Sequence, residues 1–249
     1  MSRHARPPTA LSLVAWCLVW ELIGRAGLST IIPPISRVLT AGMSIVATEK
    51  FVAAVVVSLR SFGLGMALAL VVGVLVGTLM ARVEGVARIL GVWVNVFSSA
   101  PVSALVPILM AVIGIGETTV VVAVFLFAVF VIVLDVEVGV RQADRSLVEM
   151  ARAFGARPHQ VYTKVLFLSA LPELLAGVRL GAIRGVKGVV IGQLLVAIIG
   201  VGELFELYAQ HYLMEEFWAL VLVVFAFAFA VSEAVAYLER RVEYYARAR

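Results

Sequence analysis

The charged and polar residues that could form a functional site are concentrated in one short segment of a largely apolar chain. Residues 146–172 read SLVEMARAFGARPHQVYTKVLFLSALP and carry the carboxylate of Glu149 beside the basic side chains of Arg152, Arg157 and Lys164. A short, exposed, two-sided helical segment of this kind is a good shape for docking into the groove of a partner protein. The residues alone leave a second interpretation equally open, which is a capped helix that lies on the membrane surface.

The rest of the chain carries no sequence pattern of a catalytic site or a metal centre. It contains no G-x-x-x-x-G-K-[ST] phosphate loop, no G-x-S-x-G and no H-E-x-x-H. The three histidines, His4, His159 and His211, are scattered, and a single cysteine, Cys17, excludes a disulfide within the chain. We therefore expect that this chain is not itself an enzyme and that it binds no metal or cofactor.

The composition is that of a membrane protein. Of the 249 residues, 63% are hydrophobic and 14% are charged, whereas a soluble domain is about 45–50% apolar and ~25% charged. A helix needs ~20 mostly apolar residues to cross a bilayer. The first apolar run follows MSRHARPP as a signal peptide would, but no cleavage site follows cleanly, so we interpret it as an uncleaved helix. The sequence predicts an all-α polytopic protein with six transmembrane helices, at roughly 9–27, 54–81, 87–113, 118–140, 174–200 and 217–238.

The distribution of Lys and Arg predicts the orientation of the chain, because basic residues favour the cytoplasmic side. With the N-terminus inside, most basic residues fall in cytoplasmic segments, and the last two outside segments hold none. Both termini are therefore predicted to be cytoplasmic, and residues 141–173 form the one large cytoplasmic loop. The basic residues on that side are Arg3, Arg6, Arg82, Arg88, Arg141, Arg145, Arg152, Arg157, Lys164, Arg240, Arg241, Arg247 and Arg249.

Local signals predict two short helices within this loop. Ser146 and Glu149 have the spacing of a capping box, in which each side chain bonds to the backbone N–H of the other at a helix start. Gly155 follows where a left-handed residue ends a helix. Pro158 suits the first turn of a second helix. The loop is therefore predicted to be a helix, a turn pinned by glycine and a second helix.

The same segment resembles the EAA loop of bacterial ABC-importer permeases. Residues 149–151 read Glu-Met-Ala where that family has Glu-Ala-Ala, Gly155 follows after three residues, and Val165 is the aliphatic position after nine more. Residues 167–168 depart from the first Leu-Pro of the family pattern, whereas residues 171–172 match the second. The departure bears on the start of the fifth helix rather than on the coupling role.

Other segments resemble the nitrate/sulfonate/taurine branch of these permeases. They are IIPPISRVL at 31–39, the second span at 58–81, APVSALVPILMAVIGIGE at 100–117 and Gly-Val-Arg at 177–179, so the resemblance covers most of residues 31–202. It implies a small anionic substrate such as nitrate, a sulfonate, taurine or an organic carboxylate. Some members of the branch carry thiamine or riboflavin precursors instead.

What the resemblance implies is a type I ABC importer permease of the bacterial inner membrane, in which the EAA loop is the coupling helix. That helix sits in a cleft of a cytoplasmic ATPase and transmits its closure to the spans. Gly155 would give the tight turn and Glu149 the polar contact. The residues expected to form this contact are Glu149, Ala151, Arg152, Phe154, Gly155, Ala156 and Pro158.

The resemblance also implies the partners and the division of the chain. We expect two ATPase subunits that hold ATP and Mg²⁺, a second permease subunit that is an identical copy or a close relative, an extracytoplasmic substrate-binding protein and membrane lipid, but no nucleic acid. Residues 1–30 are expected to form an N-terminal stub and the first helix. Residues 31–240 form the permease core, and 241–249 a cytoplasmic tail.

Polar residues within the spans are candidates for the translocation path. In the third span Pro101 and Pro107 are each expected to bend the helix, and broken helices are tolerated where they line a cavity. In the fifth span the basic residues either line the path and attract an anion or snorkel to the surface. The serines and the asparagine either line the path or bond within their own helix. The candidates are Asn95, Ser98, Ser99, Ser103, Arg184, Lys187 and Gln193.

The last outside loop is acidic and aromatic, so it either meets a basic rim on the binding protein or is only a solvated loop. Its candidate docking residues are Glu203, Glu206, Glu215 and Glu216. Two functions from other classes stay open alongside the importer. One is a membrane-embedded enzyme or scaffold that acts on lipid headgroups, and the other is an ion-coupled carrier. Both would work without an ATPase partner.

Overall fold

The computed structural model describes residues 9–27, 29–142 and 145–247, and these ranges contain helices and turns but no strand. The all-α expectation is confirmed. Of the predicted basic residues, Arg3, Arg6 and Arg249, and the side chains of Arg145, Arg240, Arg241 and Arg247, lie outside the described residues, as does His4. The helices are α1 Thr9–Arg25, α2 Ile35–Val46, α3 Glu49–Arg82, α4 Glu84–Ser99, α5 Val106–Ile113, α6 Glu117–Gln142, α7 Arg145–Ala153, α8 Pro158–Val161, α9 Phe167–Ser169, α10 Leu171–Val196, α11 Gly200–Gln210 and α12 Met214–Arg247.

Five of the six predicted spans correspond to helices, or to bent pairs of helices, that are long and apolar enough to cross a membrane. Helices α3, α6 and the Met214–Tyr237 part of α12 meet this condition singly. Two bent pairs meet it together, α4 with Val102–Ile113 and Pro158–Ser169 with α10. The predicted first span is α1, whose 17 residues reach about 25 Å at ~1.5 Å per residue.

The predicted third span, 87–113, is not one helix. Helix α4 ends at Ser99, the backbone of Ala100 is extended, and Pro101 leads into a 3₁₀ turn at Val102–Leu105. A residue before proline is driven out of helical geometry, so the break falls at Ala100 and turns the chain by 95°. Pro107 does not bend a helix as expected, because it lies in the first turn of α5, where its missing N–H has no partner to lose.

Helix α6 is the centre of the helix packing. In its most apolar stretch 56% of residues are buried, against 28% in α3 and 17% in α12. Glycines let both neighbours approach it closely: a Cβ on Gly73 of α3 would lie 2.6 Å from Cγ2 of Ile132, and one on Gly181 of α10 would lie 2.8 Å from its Cγ1. The Gly73-x-x-x-Gly77 pair therefore serves packing between α3 and α6 inside the chain.

A second apolar cluster joins α2, the start of α3, α11 and α12. Two tryptophans fasten the N-terminal helix to it. The indole N–H of Trp20 donates to the carbonyl of Pro33 at 3.0 Å, and that of Trp218 donates to the carbonyl of Ile31 at 2.8 Å. The two rings meet edge to face with centroids 5.3 Å apart. The Pro-Pro segment is thus held by side chains from both ends of the chain.

Candidate functional site

The turn between α7 and α8 has the geometry that its glycine predicts. Gly155 has φ +78°, and its N–H donates to the carbonyl of Arg152 at 2.9 Å. The N–H of Ala156 donates to the carbonyl of Ala151 at 3.0 Å. These two bonds form a Schellman motif, which satisfies carbonyls at the helix end. The predicted left-handed glycine is confirmed.

The start of α7 differs from the prediction, whereas the start of α8 agrees with it. Ser146 lies inside the first turn of α7, not at its N-cap, and Glu149 makes no hydrogen bond with any described residue, so the capping-box prediction is wrong. A similar contact occurs one helix later, where Oε1 of Gln160 accepts from the N–H of Arg157 at 2.8 Å. Pro158 begins α8 as predicted. The sequence signal for this contact, which was missed, is a glutamine two positions after a proline.

The surface of α7 and its turn is strongly exposed. The side chain of Phe154 is 87% exposed, and Met150 and Leu147 are 52% and 40% exposed. Glu149 and Arg152 are exposed beside them, while Ala151 is half-buried. A phenylalanine left in water at the tip of a rigid turn is typical of an anchor in an interface. All seven predicted coupling residues lie on this segment.

The loop continues into α10 through a bend. After α8 the chain makes a π-type turn over Tyr162–Leu166 and the short α9, and it bends by 60° before α10. The corner residue Ala170 is buried against α6, where a Cβ on Gly139 would lie 3.2 Å from its carbonyl oxygen. The segment that departs from the family pattern at 167–168 is therefore helical and precedes the corner.

Two of the basic candidates lie near the middle of α10. Lys187 is 16 residues from Leu171, which is about 24 Å along the helix at ~1.5 Å per residue. Its neighbour Gly188 packs against Val124, seven positions after the start of α6 at Glu117, so Lys187 is level with the first third of α6. The side chain of Lys187 is exposed on the single chain and has no ion-pair partner among the residues that the structure describes.

Two acidic residues of α6 lie close to basic residues. Asp135 of α6 interacts electrostatically with Arg184 and lies against Gly177, where a Cβ would be 2.7 Å from its own. Glu137 pairs with Arg141 at 2.9 Å. The two carboxylates thus meet a basic residue of α10 in one case and Arg141 of α6 itself in the other. Arg184 thus has an acidic neighbour, whereas Lys187 has no ion-pair partner among the described residues.

Gln193 lies at a helix junction, away from the exposed face of Lys187. It is 1% exposed, and its Oε1 accepts from the hydroxyl of Ser58 at 2.8 Å and from the N–H of Val201 at 3.1 Å. Its Nε2 has no hydrogen-bond partner among the described residues. The chain turns back here through left-handed Ala197 and Gly200. Gln193 therefore ties α3 and α11 to the end of α10.

The four candidates of the third span surround its break. The amide of Asn95 donates to the carbonyl of Gly91 at 2.7 Å, so its bond lies within its own helix. Ser98 and Ser103 are half-buried and Ser99 is exposed, and none of the three makes a side-chain hydrogen bond within the described part of the chain. The hydroxyl groups at the break thus keep unused bonding capacity.

The acidic candidates of the outer segment differ in their exposure and in their hydrogen-bond and ion-pair partners. Glu203 and Glu206 are exposed, and Glu206 accepts from Gln210 at 2.7 Å. Glu215 pairs with Arg37 at 3.5 Å. Glu216 is half-buried. Burial raises the pKa of the Tyr208 phenol, and the nearby Glu216 carboxylate raises that pKa further.

One intramembrane charge was missed by the sequence reasoning. Arg60, inside the apolar run of α3, forms an ion pair with Glu117 at the start of α6, with 3.0 Å between Nε and Oε1. The signal was available, because a charge within a span is costly and marks a position of interest. Its partner was not predictable from spacing, since 57 positions separate the two residues.

Known proteins resemble this chain in sequence. A model of the family described as binding-protein-dependent transport system inner membrane component matches residues 69–244. A probable ABC transporter permease protein of Brucella melitensis is 30% identical over 188 residues, which cover 74% of each chain. The taurine transport system permease protein TauC of Escherichia coli is 26% identical over 216 residues, covering 85% of this chain and 78% of that protein. A putative aliphatic sulfonates transport permease protein, SsuC of Bacillus subtilis, is 28% identical over 187 residues, covering 74% and 67%.

Solved structures share the fold. An inward-facing structure of the MetNI methionine ABC transporter aligns with a TM-score of 0.66 at 24% identity, over 78% of this chain and 96% of that chain. An amino acid ABC transporter structure aligns with a TM-score of 0.65 at 14% identity, over 80% and 97%. The type I importer fold and the resemblance to the sulfonate and taurine branch are confirmed. With its family match over residues 69–244, this chain belongs to the binding-protein-dependent transport system inner membrane components, the permease subunits of ABC importers, whose ATPase is a separate subunit.

Proposed function

We propose that this permease is driven through residues 146–165, which dock into a cytoplasmic ATPase that holds ATP and Mg²⁺. Two ATPases would serve two copies of the chain. The observation that carries this proposal is the 87% exposure of Phe154 on a turn whose backbone is fixed by Gly155. A fixed turn presents an aromatic side chain without an ordering cost at the moment of binding.

In the docked state Phe154 enters the ATPase cleft, flanked by Ala156 and Pro158. Glu149 and Arg152, both exposed, form the polar rim on the preceding turns of α7. Ala151 faces the chain and spaces α7 from it. Closure of the ATPase pair displaces this segment, and the corner at Ala170 passes the displacement into α10.

The translocation path lies between two copies, along the exposed face of α10. Lys187 supports this placement, because an intramembrane charge without a partner is too costly to leave against lipid tails. Its distance of about 24 Å from the start of α10 also disfavours snorkelling to that end. Arg184 adds a second cation near Asp135. Ser98, Ser99, Ser103 and Asn95 border the path at the break of the third span.

The substrate is a small anion, namely a sulfonate, taurine, nitrate or an organic carboxylate. Two observations support this choice. Lys187 and Arg184 supply cations inside the membrane, and relatives are named for taurine and aliphatic sulfonates. Gln193 then acts at the end of the path as a junction residue, not as a contact for the substrate.

Both termini are cytoplasmic in this proposal, and α11 faces the outside. There the substrate-binding protein docks against the acidic residues of the last outer segment. Glu203 and Glu206 are the stronger contacts, because their carboxylates are exposed. Glu215 and Glu216 contribute less, since one pairs with Arg37 and the other is half-buried.

Co-purification tests the coupling proposal. The chain carries a C-terminal tag in its native cells, is extracted in mild detergent, and the ATPase recovered per permease is quantified. We expect Phe154→Ala to lower the affinity for the ATPase about thirty-fold, equivalent to the ~2 kcal/mol of an interface anchor. The matched control is Phe229→Ala, which removes a ring that is 68% exposed on α12. Equal ATPase recovery from both variants, or none with the wild-type chain, would contradict the proposal.

A further inference from the structure

An open cavity of about 560 Å³ lies between the coupling segment and the ends of two spans. Helices α3 and α6 end beside it at Arg82 and Gln142, and α7 closes its other side. Because both spans end here, the cavity is level with the membrane–water boundary. We call it the basic groove, and its lining residues are Ala81, Arg82, Val140, Arg141, Val148, Glu149, Arg152 and Leu166.

The lining of the basic groove is cationic on one part and apolar on the other. Among the described residues it brings three guanidinium groups together with the carboxylate of Glu149, and the carboxylate of Glu137 contacts Arg141 from α6. Arg141 is fixed in place, because its Nη2 donates to the carbonyl of Met80 at 3.2 Å and contacts Glu137 at 2.9 Å, while the side chain stays 47% exposed. Arg152 is exposed and has no ion-pair partner among the described residues. The remaining lining residues are alanine, valine and leucine.

We propose that the basic groove binds the phosphate of an anionic phospholipid from the cytoplasmic leaflet. Guanidinium groups bind phosphate through paired N–H donors and are the side chain best suited to it. Basic pockets between spans on the cytoplasmic side take lipid headgroups of this kind. The apolar part of the lining gives the glycerol and the first methylenes a surface, which a free inorganic anion would not use. The inference rests on the orientation proposed above and not on the coupling role.

A bound headgroup would join α7 to the ends of α3 and α6. Arg141 belongs to α6 and Arg152 to α7, so one phosphate held by both links the coupling segment to the membrane-spanning core. The phospholipid composition of the membrane would then change how strongly the coupling segment is bound to the spans, even when the ATPase itself is unchanged.

Lipid binding to the intact detergent-solubilised complex tests this site. Native mass spectrometry follows the titration with dioleoylphosphatidylglycerol, with dioleoylphosphatidylcholine as the zwitterionic comparison and inorganic phosphate as a competitor. We expect phosphatidylglycerol to bind preferentially and to resist millimolar inorganic phosphate. Arg141→Gln and Arg152→Gln should each weaken it about five-fold, the equivalent of the ~1 kcal/mol that one basic residue contributes near an anionic membrane.

The matched control is Arg88→Gln, which removes the same charge from α4 on the same side of the protein. Arg88 is 77% exposed, pairs only with Glu84 among the described residues, and lies outside the groove. Equal loss in Arg88→Gln would show a diffuse charge effect and overturn the site. Displacement by inorganic phosphate would show a soluble-anion site, and equal binding of both lipids would show none.

Two further comparisons keep the outcome independent of folding and of coupling. If Arg141→Gln elutes as aggregate because its bond to Met80 is lost, Arg152→Gln, which removes no such bond, decides the question. ATPase recovery is measured on the same samples, so a failure of coupling appears separately from a failure of lipid binding. Lipid that binds only after the ATPase has dissociated would assign the groove to the ATPase contact and overturn the proposal.

Discussion

Replacing Gly155 by alanine isolates the backbone geometry of the coupling turn from every other property of the loop. Gly155 has φ +78°, and a Cβ added there would meet no atom within 4 Å. The substitution therefore introduces no collision and leaves only the strain of a left-handed L-residue, which is about 1–2 kcal/mol. If the ATPase binds only the ordered turn, its affinity falls by up to the same free energy, which sets an upper limit of about five- to thirty-fold.

The chain provides a matched glycine for this experiment. A Cβ on Gly63 of α3 also meets nothing within 4 Å, but its backbone is helical, so Gly63→Ala should leave ATPase binding unchanged. Gly155→Asn should fall between wild type and Gly155→Ala, because asparagine tolerates the left-handed region better than alanine does. The assay is the Kd for the ATPase of the detergent-purified permease. If Gly155→Ala binds as tightly as Gly63→Ala, the fixed turn is not what the ATPase recognises.

Three further substitutions test the core, the path and the junction. Gly73→Ala places a Cβ 2.6 Å from Ile132, so it should destabilise the fold by about 1–3 kcal/mol and lower its melting temperature, and an unchanged melting temperature would contradict the α3–α6 packing. Lys187→Gln should reduce taurine or alkanesulfonate uptake at least ten-fold while ATPase recovery stays constant and Lys187→Arg retains transport, so equal uptake by both variants would remove Lys187 from the path. Gln193→Leu removes the two hydrogen bonds that its Oε1 accepts, while the Ser58 hydroxyl keeps its bond to the Ala54 carbonyl and the Val201 N–H keeps its bond to Ser58 Oγ. The loss of about 1–2 kcal/mol should lower the melting temperature further than Gln160→Leu does, since that substitution removes one bond.

Features of the coupling segment that depend on one or two neighbouring residues could be predicted from the sequence. Gly155 and Pro158 act through their own backbone restrictions, and both occupy the predicted places. Ser146 was misplaced because a serine three positions before a glutamate is a weak signal, and α7 already begins at Arg145. The break at Pro101 was foreseeable, but its 95° angle was not, since it depends on a 3₁₀ turn that no residue there requires.

Contacts between distant parts of the chain could not be predicted from residue spacing and composition. The bond from Ser58 to Gln193 crosses 135 positions, and Gln193 was a candidate for the path only because it is a polar residue within a predicted span. The basic groove needs the ends of α3 and α6 to meet α7. In the sequence Arg82 and Arg141 served only as evidence for orientation and Arg152 also as a coupling residue, because the convergence of the three is a property of the packing.

Helix α10 connects the parts of this molecule that have to move together. It is one uninterrupted helix of 26 residues, about 39 Å long, with the corner at Ala170 at one end and the Gln193 junction at the other. Along its contact with α6 it presents glycines, so few of its side chains interlock with that helix. Small sliding of packed helices is a recognised mode of domain motion. A face that presents glycines offers little resistance to such sliding. Because the bonds of Gln193 to Ser58 and Val201 hold the far end of α10 in place, a displacement of the coupling segment would tilt the helix about that end and carry Lys187 with it.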